Sequence, residues 1–293
     1  MAISDNLRGV LYMCVSMLAF TVNDTFMKLV TETLPLFQAI ALRGMISTLA
    51  LVLIAKAMGT LQLWPAPRDR AVIGLRSLAE VGGTVFFLVA LTQMPLANLS
   101  AIMQVLPLAV ALAAAVFLGA PMGWRRITAI LVGFAGVMII IRPGTDSFTV
   151  WSVLGLASVV CVVARDLATR QLSASVPSTA VSIWAAVTVT AMGLVGAFAE
   201  GWQPVDAAQA LLILGAAAFL IVGYLFSVMV MRVGDIGVIA PFRYTALLWA
   251  ILLGLVVFGT RPDRWTLIGA AIVVASGLFT LWRERALRRA AAG

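Results

Sequence analysis

The sequence predicts an all-α integral membrane protein whose ten transmembrane helices form two inverted five-helix repeats. Three observations lead there. The first is composition: of 293 residues, 62% are hydrophobic and 11% charged, too little polar material to cover a soluble core of this size. Mean hydropathy is +1.08. The second is that the apolar residues come in runs of about twenty, the length a helix needs to cross a bilayer at ~1.5 Å per residue. The short alternation of an outer-membrane barrel is not seen. The third is an internal repeat holding an odd number of runs.

The repeat is read by subtraction. Asp24 and Asp166 differ by 166 − 24 = 142, Lys28 and Arg170 by 170 − 28 = 142, and Pro35 and Pro177 by 177 − 35 = 142. Gly83 and Gly223 differ by 140, as do Gly119 and Gly259, while Trp124 and Trp265, like Gly136 and Gly277, differ by 141. The halves are therefore 1–144 and 145–293. Five spans is an odd number, so the second half enters the membrane upside down. Inverted repeats of this kind mark secondary transporters, with the substrate near the midplane between the halves.

The predicted spans follow in order. The first, 9–30, sets Tyr12, Ser16 and Asn23 on one face and ends in FTVNDTFMKLV, where Asp24 precedes Lys28 by four residues. Either this pair and its counterpart, Asp166 and Arg170, neutralise themselves at helix ends, with the cations snorkelling, or they pin alternate gates near opposite faces. The second span, 36–58, holds Arg43 at ~10 Å from the outer face, near the ~9 Å depth of Asp24. A direct Asp24–Arg43 bridge across this hairpin is the expectation. The third, 71–92, places Arg76, Glu80, Gly83, Thr84 and Phe87 together.

Glu80 lies ~14 Å from the inner face, too deep for its short side chain to reach water. Arg76 is one turn earlier and within i,i+4 reach. The repeat puts Ala216 and Leu220 at the equivalent places, so this pair belongs to one half. It is a substrate or proton contact, or a buried structural pair. The fourth span, 95–118, contributes Asn98, Gln104 and Pro107; the fifth, 124–141, carries Gly133 and Gly136 for close packing.

The second half runs 151–171, 177–199, 208–231, 235–258 and 264–282. Its first span ends in ARDLATRQL with Asp166 and Arg170, and its third presents Tyr224, Ser227 and Met231. Its fourth presents Pro241, Tyr244, Thr245 and Trp249, with Arg243 available to neutralise Asp166 or Glu80. Its fifth, with Gly277, is a packing element like 124–141, and both are expected to be peripheral.

Basic residues orient the chain. With both termini cytoplasmic, twelve lie inside, including Arg125, Arg126 and the cations of the terminal RERALRR, against Lys28, Arg142, Arg261 and Arg264 outside. The net charge of +8 then reads as attraction to anionic headgroups rather than to nucleic acid. No cleavable leader is expected, because the first apolar run is long enough to remain a helix. Cys14 and Cys161 lie inside apolar runs, which disfavours a disulfide, and there is no histidine. Neither a cofactor nor a metal site is expected. An intramembrane protease or lipid-modifying transferase is disfavoured for want of a nucleophile with its base, facing carboxylates or metal ligands.

Three stretches complete the reading: RSLAEVGGTVFFLVALTQMPLANLSAI at 76–102, LVGFAGVMIIIRPG at 131–144, and PFRYTALLWAILLGLVVFGTRPDRWTLIGAAIVVASG at 241–277. With FTVNDTFMKL and ALRG before them, they resemble bacterial EamA-type exporters of the drug/metabolite transporter superfamily, over nearly the whole chain. The form resembled is that of the aromatic and broad-specificity amino-acid exporters. The resemblance implies inverted five-helix halves around a central cavity, peripheral fifth and tenth helices, an inner-membrane location, and export of amino acids and related amphipathic metabolites. Many relatives place Glu where this chain has Ala120 and Thr260.

The reading that results is a transporter working by alternating access, as a monomer or homodimer. Glu80, Arg76, Asn98, Gln104, Tyr224, Tyr244 and Trp249 would contact substrate, and proton coupling is left open. The rival substrates are phosphorylated sugars, nucleotides or nucleosides. For phosphorylated substrates a cluster of cations should face the cavity, whereas Arg43, Arg76, Arg165 and Arg243 are roughly balanced by Asp24, Glu80 and Asp166.

Overall fold

A computed structural model describes residues 5–61, 66–119, 122–144, 149–173, 175–230, 233 and 236–292; Ala120 and Met231, named above, lie outside them. Ten stretches are helical, long and apolar enough to cross a membrane, and the described residues contain no strand. In chain order the helices are α1 (Asp5–Val30), α2 (Leu36–Ala57), α3 (Pro67–Gln93), α4 (Leu96–Met103), α5 (Leu106–Leu118) and α6 (Trp124–Ile141). They continue with α7 (Val150–Thr169), α8 (Ser178–Glu200), α9 (Ala207–Val230), α10 (Ile236–Ile239), a 3₁₀ turn (Ala240–Tyr244), α11 (Thr245–Phe258) and α12 (Arg264–Ala292).

The boundaries follow local chemistry. Pro35, Pro95 and Pro177 stand just before α2, α4 and α8, where a missing N–H is harmless and the fixed φ is suited to helix entry. Two differences from the sequence reading are physical. The helix begun at Arg264 continues to Ala292 because RERALRR contains strong helix formers and no breaker. The fourth and ninth spans are each interrupted: α4 gives way to α5 at Gln104 and Val105, and α10 reaches α11 only through the 3₁₀ turn. Pro107 and Pro241 lie at these breaks, and each removes a donor from the helical ladder.

The chain forms two compact units. Unit 2 comprises Val22–Gln93 and Ala157–Ile221. Its centre is the pairing of α2 with α8, where small residues admit the neighbouring helix: Gly193 meets the Ala41 backbone, and Gly196 takes the Phe37 ring. Thr48 and Thr190, 142 residues apart, touch hydroxyl to hydroxyl at 3.3 Å. Hydrogen bonds also tie the ends of its helices. Gln38 donates to the Gln203 carbonyl at 2.7 Å and accepts from the Gln203 N–H at 2.9 Å. Asp69, buried at the start of α3, accepts from both the backbone N–H and the hydroxyl of Ser173 at 3.0 Å.

Unit 1 comprises Met1–Thr21, Met94–Leu156 and Val222–Gly293. Its principal pairing joins α6 to α12. Gly136 and Gly269 lie so close that a Cβ on either would come within 2.5–2.9 Å of the other's carbonyl oxygen, an approach only glycine permits. Gly277, predicted as a packing glycine, instead makes room for the Tyr244 phenol. In the same unit Ser16 donates to the Gly223 carbonyl at 2.9 Å, and Phe20 stands edge-on to Tyr224.

Candidate functional site

Three groups of predicted residues have distinct surroundings. In unit 2, Asp24 was expected to meet Lys28 or Arg43. Its carboxylate accepts from the Asn23 amide at 2.9 Å, and Arg43 donates to the Asn23 oxygen at 3.2 Å. The Asn23 carboxamide thus stands between the two charges, donating to Asp24 and accepting from Arg43. Lys28 donates to the Leu91 carbonyl on α3 at 2.5 Å.

The second group lies between α3 and α7, also in unit 2. Glu80 lies 3.4 Å from Arg76 through one carboxylate oxygen and 3.3 Å from Arg165 through the other. Arg165 spans to Asp166 with Nε at 2.9 Å and Nη2 at 2.8 Å. Arg76 donates to the Thr169 hydroxyl at 3.1 Å, which donates to the Arg165 carbonyl at 2.8 Å. Two cations and two anions compensate one another over one face, as partly buried charges in a membrane protein must.

Asp166 is paired with its neighbour Arg165, where helical spacing proposed Arg170, and Arg165 also reaches Glu80. The residue that the sequence reading passed over is therefore Arg165, which it counted among the deep cations but gave no role. A signal was present: 165 − 23 = 142, so Asn23-Asp24 and Arg165-Asp166 are the same dipeptide under the repeat. In both, the first residue donates to the acid's Oδ1.

The third group lies in unit 1. Asn98 is on α4, Gln104 is buried at the α4–α5 break, Tyr244 closes the 3₁₀ turn and Trp249 is on α11. These elements pack together: α4 on α11, and α12 on both α4 and the 3₁₀ turn. Here the accounting is open. Asn98 Oδ1, Tyr244 Oη and Trp249 Nε1 are buried and meet no hydrogen-bond partner among the described residues. Buried polar groups are almost always paired, so three on adjoining elements call for explanation. Tyr224 belongs to the same unit but is more than a third exposed, and Arg243 adjoins Tyr244 in the 3₁₀ turn.

The model of the EamA-like transporter family matches the chain twice, over residues 7–142 and 149–282. The chain belongs to that family. Among its relatives, the S-adenosylmethionine uptake transporter of Rickettsia felis is 24% identical over 285 residues, 97% of this chain and 96% of the relative. The riboflavin transporter of Rhizobium johnstonii is 27% identical over 202 residues, 69% of this chain and 67% of that one. The pseudopaline exporter CntI of Pseudomonas aeruginosa is 25% identical over 272 residues, 92% and 94% of the two chains. A crystal structure shares the fold, with a TM-score of 0.66 at 20% identity over 93% of this chain and 96% of the other. This EamA-like protein is accordingly a multi-pass membrane transporter and not an enzyme.

Proposed function

We propose that this transporter exports amino acids and related small amphipathic metabolites across the bacterial inner membrane by alternating access, with both termini cytoplasmic. The observation that carries the reading is the pair of interrupted helices, α4–α5 and α10–α11, with unpartnered Asn98, Tyr244 and Trp249 beside the breaks. Interrupted hydrophobic segments at corresponding positions of two halves are the strongest general pointer to a transporter's binding site. The halves, 1–144 and 145–293, are supported as repeats by the paired family match and by the Thr48–Thr190 contact across the repeat interval.

The unpartnered atoms also favour a substrate class. Trp249 Nε1 is a donor, Asn98 Oδ1 an acceptor, and the Tyr244 hydroxyl either. A zwitterionic head satisfies all three: its carboxylate takes the donors and its ammonium the acceptor. Uncharged aromatic bodies suit the same groups. S-adenosylmethionine combines an amino-acid head with a nucleoside, and riboflavin is a neutral ring system with hydroxyls, so the relatives' substrates are compatible. Phosphorylated sugars and nucleotides are less so, because the deep cations Arg43, Arg76 and Arg165 already serve Asn23, Glu80 and Asp166.

Glu80 and Arg76 enter this proposal in a changed role. Both oxygens of Glu80 are engaged within the chain, so we assign the Arg76–Glu80–Arg165–Asp166 cluster, like Asn23–Asp24–Arg43, to an ion-pair lock rather than to the substrate head. The test is efflux from proteoliposomes loaded with a panel of amino acids, S-adenosylmethionine, riboflavin and hexose phosphates, with and without a proton gradient. Movement of zwitterionic substrates, with hexose phosphates retained, is expected. Export of hexose phosphates alone would overturn the substrate class, and a rate indifferent to the gradient would remove proton coupling.

A further inference from the structure

The α6–α12 pair carries a feature that the transport cycle does not use. The two helices touch at Gly136 and Gly269, and between that contact and the start of α6 lies a cleft of about 550 Å³ lined by Trp124, Arg125, Val132, Ile272, Ala275 and Phe279. Among the described residues, those at its rim are left exposed. Trp124 is 71% exposed and Phe279 42%. Beyond the cleft the same face continues with exposed Leu131 on α6 and Trp282 on α12. A trough of this composition on two spanning helices faces the hydrocarbon of the bilayer.

Charge is confined to one end. Arg125 lines the cleft, and its guanidinium lies 5.3 Å over the Trp124 ring. Arg126 follows it, and Arg283 comes one turn after Phe279 on α12. Tryptophan beside arginine at a helix end is the signature of the membrane interface, where rings sit at headgroup level and guanidinium groups meet phosphate. The cleft is thus apolar along its length and cationic at its mouth, the complement of an amphiphile with an anionic head.

We propose that this cleft is a binding site for an anionic phospholipid, one acyl chain lying between α6 and α12 and the phosphate held by Arg125. Packing alone would accept any aliphatic chain. The arginine adds a charge-assisted contact that selects an anionic head.

The experiment uses the full chain, delipidated in detergent and titrated with phosphatidylglycerol or phosphatidylcholine, with bound lipid counted by native mass spectrometry. Phosphatidylglycerol is expected to be retained roughly tenfold better than phosphatidylcholine. Arg125→Gln removes that preference. Ala275→Trp, which fills the trough and leaves the charge, lowers retention of both lipids, with elution as a folded monodisperse species as its control. Equal retention of the two lipids by the parent protein would overturn the proposal, as would Arg125→Gln retaining the preference. A dimer of the parent that Ala275→Trp dissociates would overturn it too, since a second copy would then be the occupant.

Discussion

Unit 2 and unit 1 handle the same difficulty, polar groups inside a membrane protein, in opposite ways. In unit 2 the carboxylates find donors within the unit, although the Ser77 hydroxyl is buried without a hydrogen-bond partner among the described residues. Asp24 has Asn23, Glu80 has Arg76 and Arg165, Asp166 has Arg165, and Asp69 has both donors of Ser173. Its helices are uninterrupted, and they are tied at their ends by side-chain to backbone bonds such as Gln38 to Gln203. In unit 1 two spans are interrupted, and Asn98, Tyr244 and Trp249 keep buried polar atoms unpartnered. A satisfied network rigidifies, whereas an unsatisfied group gains free energy from whatever reaches it. The comparison assigns stability to the one and recognition to the other.

The largest expected effect breaks the first half of that comparison. Arg165→Ala removes the cation shared by Glu80 and Asp166, leaving two partly buried carboxylates with one guanidinium between them. Loss of one member of a buried ion pair costs about 3–5 kcal/mol; with Arg165 23% exposed and Asp166 32%, about 2 kcal/mol is expected after solvent screening. The melting midpoint in detergent should fall by several degrees. Arg165→Lys should recover only part of it, because an ammonium lacks the fork that spans both acids. An unchanged midpoint for Arg165→Ala would show that the cluster does not hold unit 2 together.

Tyr244→Phe probes the other half. The hydroxyl has no protein partner among the described residues, so deleting it should leave the midpoint unchanged or slightly raised. Half-saturation for an amino-acid substrate should rise about tenfold, or about 1.4 kcal/mol of binding. The two readouts must separate. A large fall in stability with unaltered affinity would make Tyr244 a structural residue packed against Gly277.

How far the sequence revealed this division depended on the kind of signal. Ten spans were legible because apolar length is a local property, and their ends because proline at Pro35, Pro95 and Pro177 marks helix entry from one position. The acids and cations were legible as residues, but of their pairs Arg76–Glu80, one turn apart on a single helix, is the one that spacing named. Helical spacing proposed Asp24 with Lys28 and Asp166 with Arg170, yet each acid takes a donor from the residue just before it, while a neighbouring helix supplies Leu91 to Lys28 and Arg165 to Glu80. The interruption of α10–α11 was readable at Pro241, although its 3₁₀ form was not. Unpartnered atoms such as Trp249 Nε1 cannot be read at all from a sequence, since being without a partner is a property of the surroundings.

The smallest effect sharpens the comparison from outside the spans. Asp263 precedes α12 and accepts from the Thr266 N–H at 2.7 Å while pairing with Arg142, which ends α6 in a left-handed conformation. Burial pushes its carboxyl up, but the Thr266 and Arg142 hydrogen bonds outweigh that and hold it below the usual 3.8. A depressed carboxyl contributes stability above its unfolded value and loses it as pH falls through its folded one. The midpoint should therefore drop on acidification below about pH 4, and Asp263→Asn should flatten that dependence. At neutral pH the same change should cost no more than about 1 kcal/mol, since an asparagine still caps the helix and the carboxylate is 43% exposed. Unit 1 would then be seen to spend its strong interactions at the ends of its helices. A loss at pH 7 as large as that of Arg165→Ala would contradict this, placing in a loop of unit 1 the stability assigned to the cluster of unit 2.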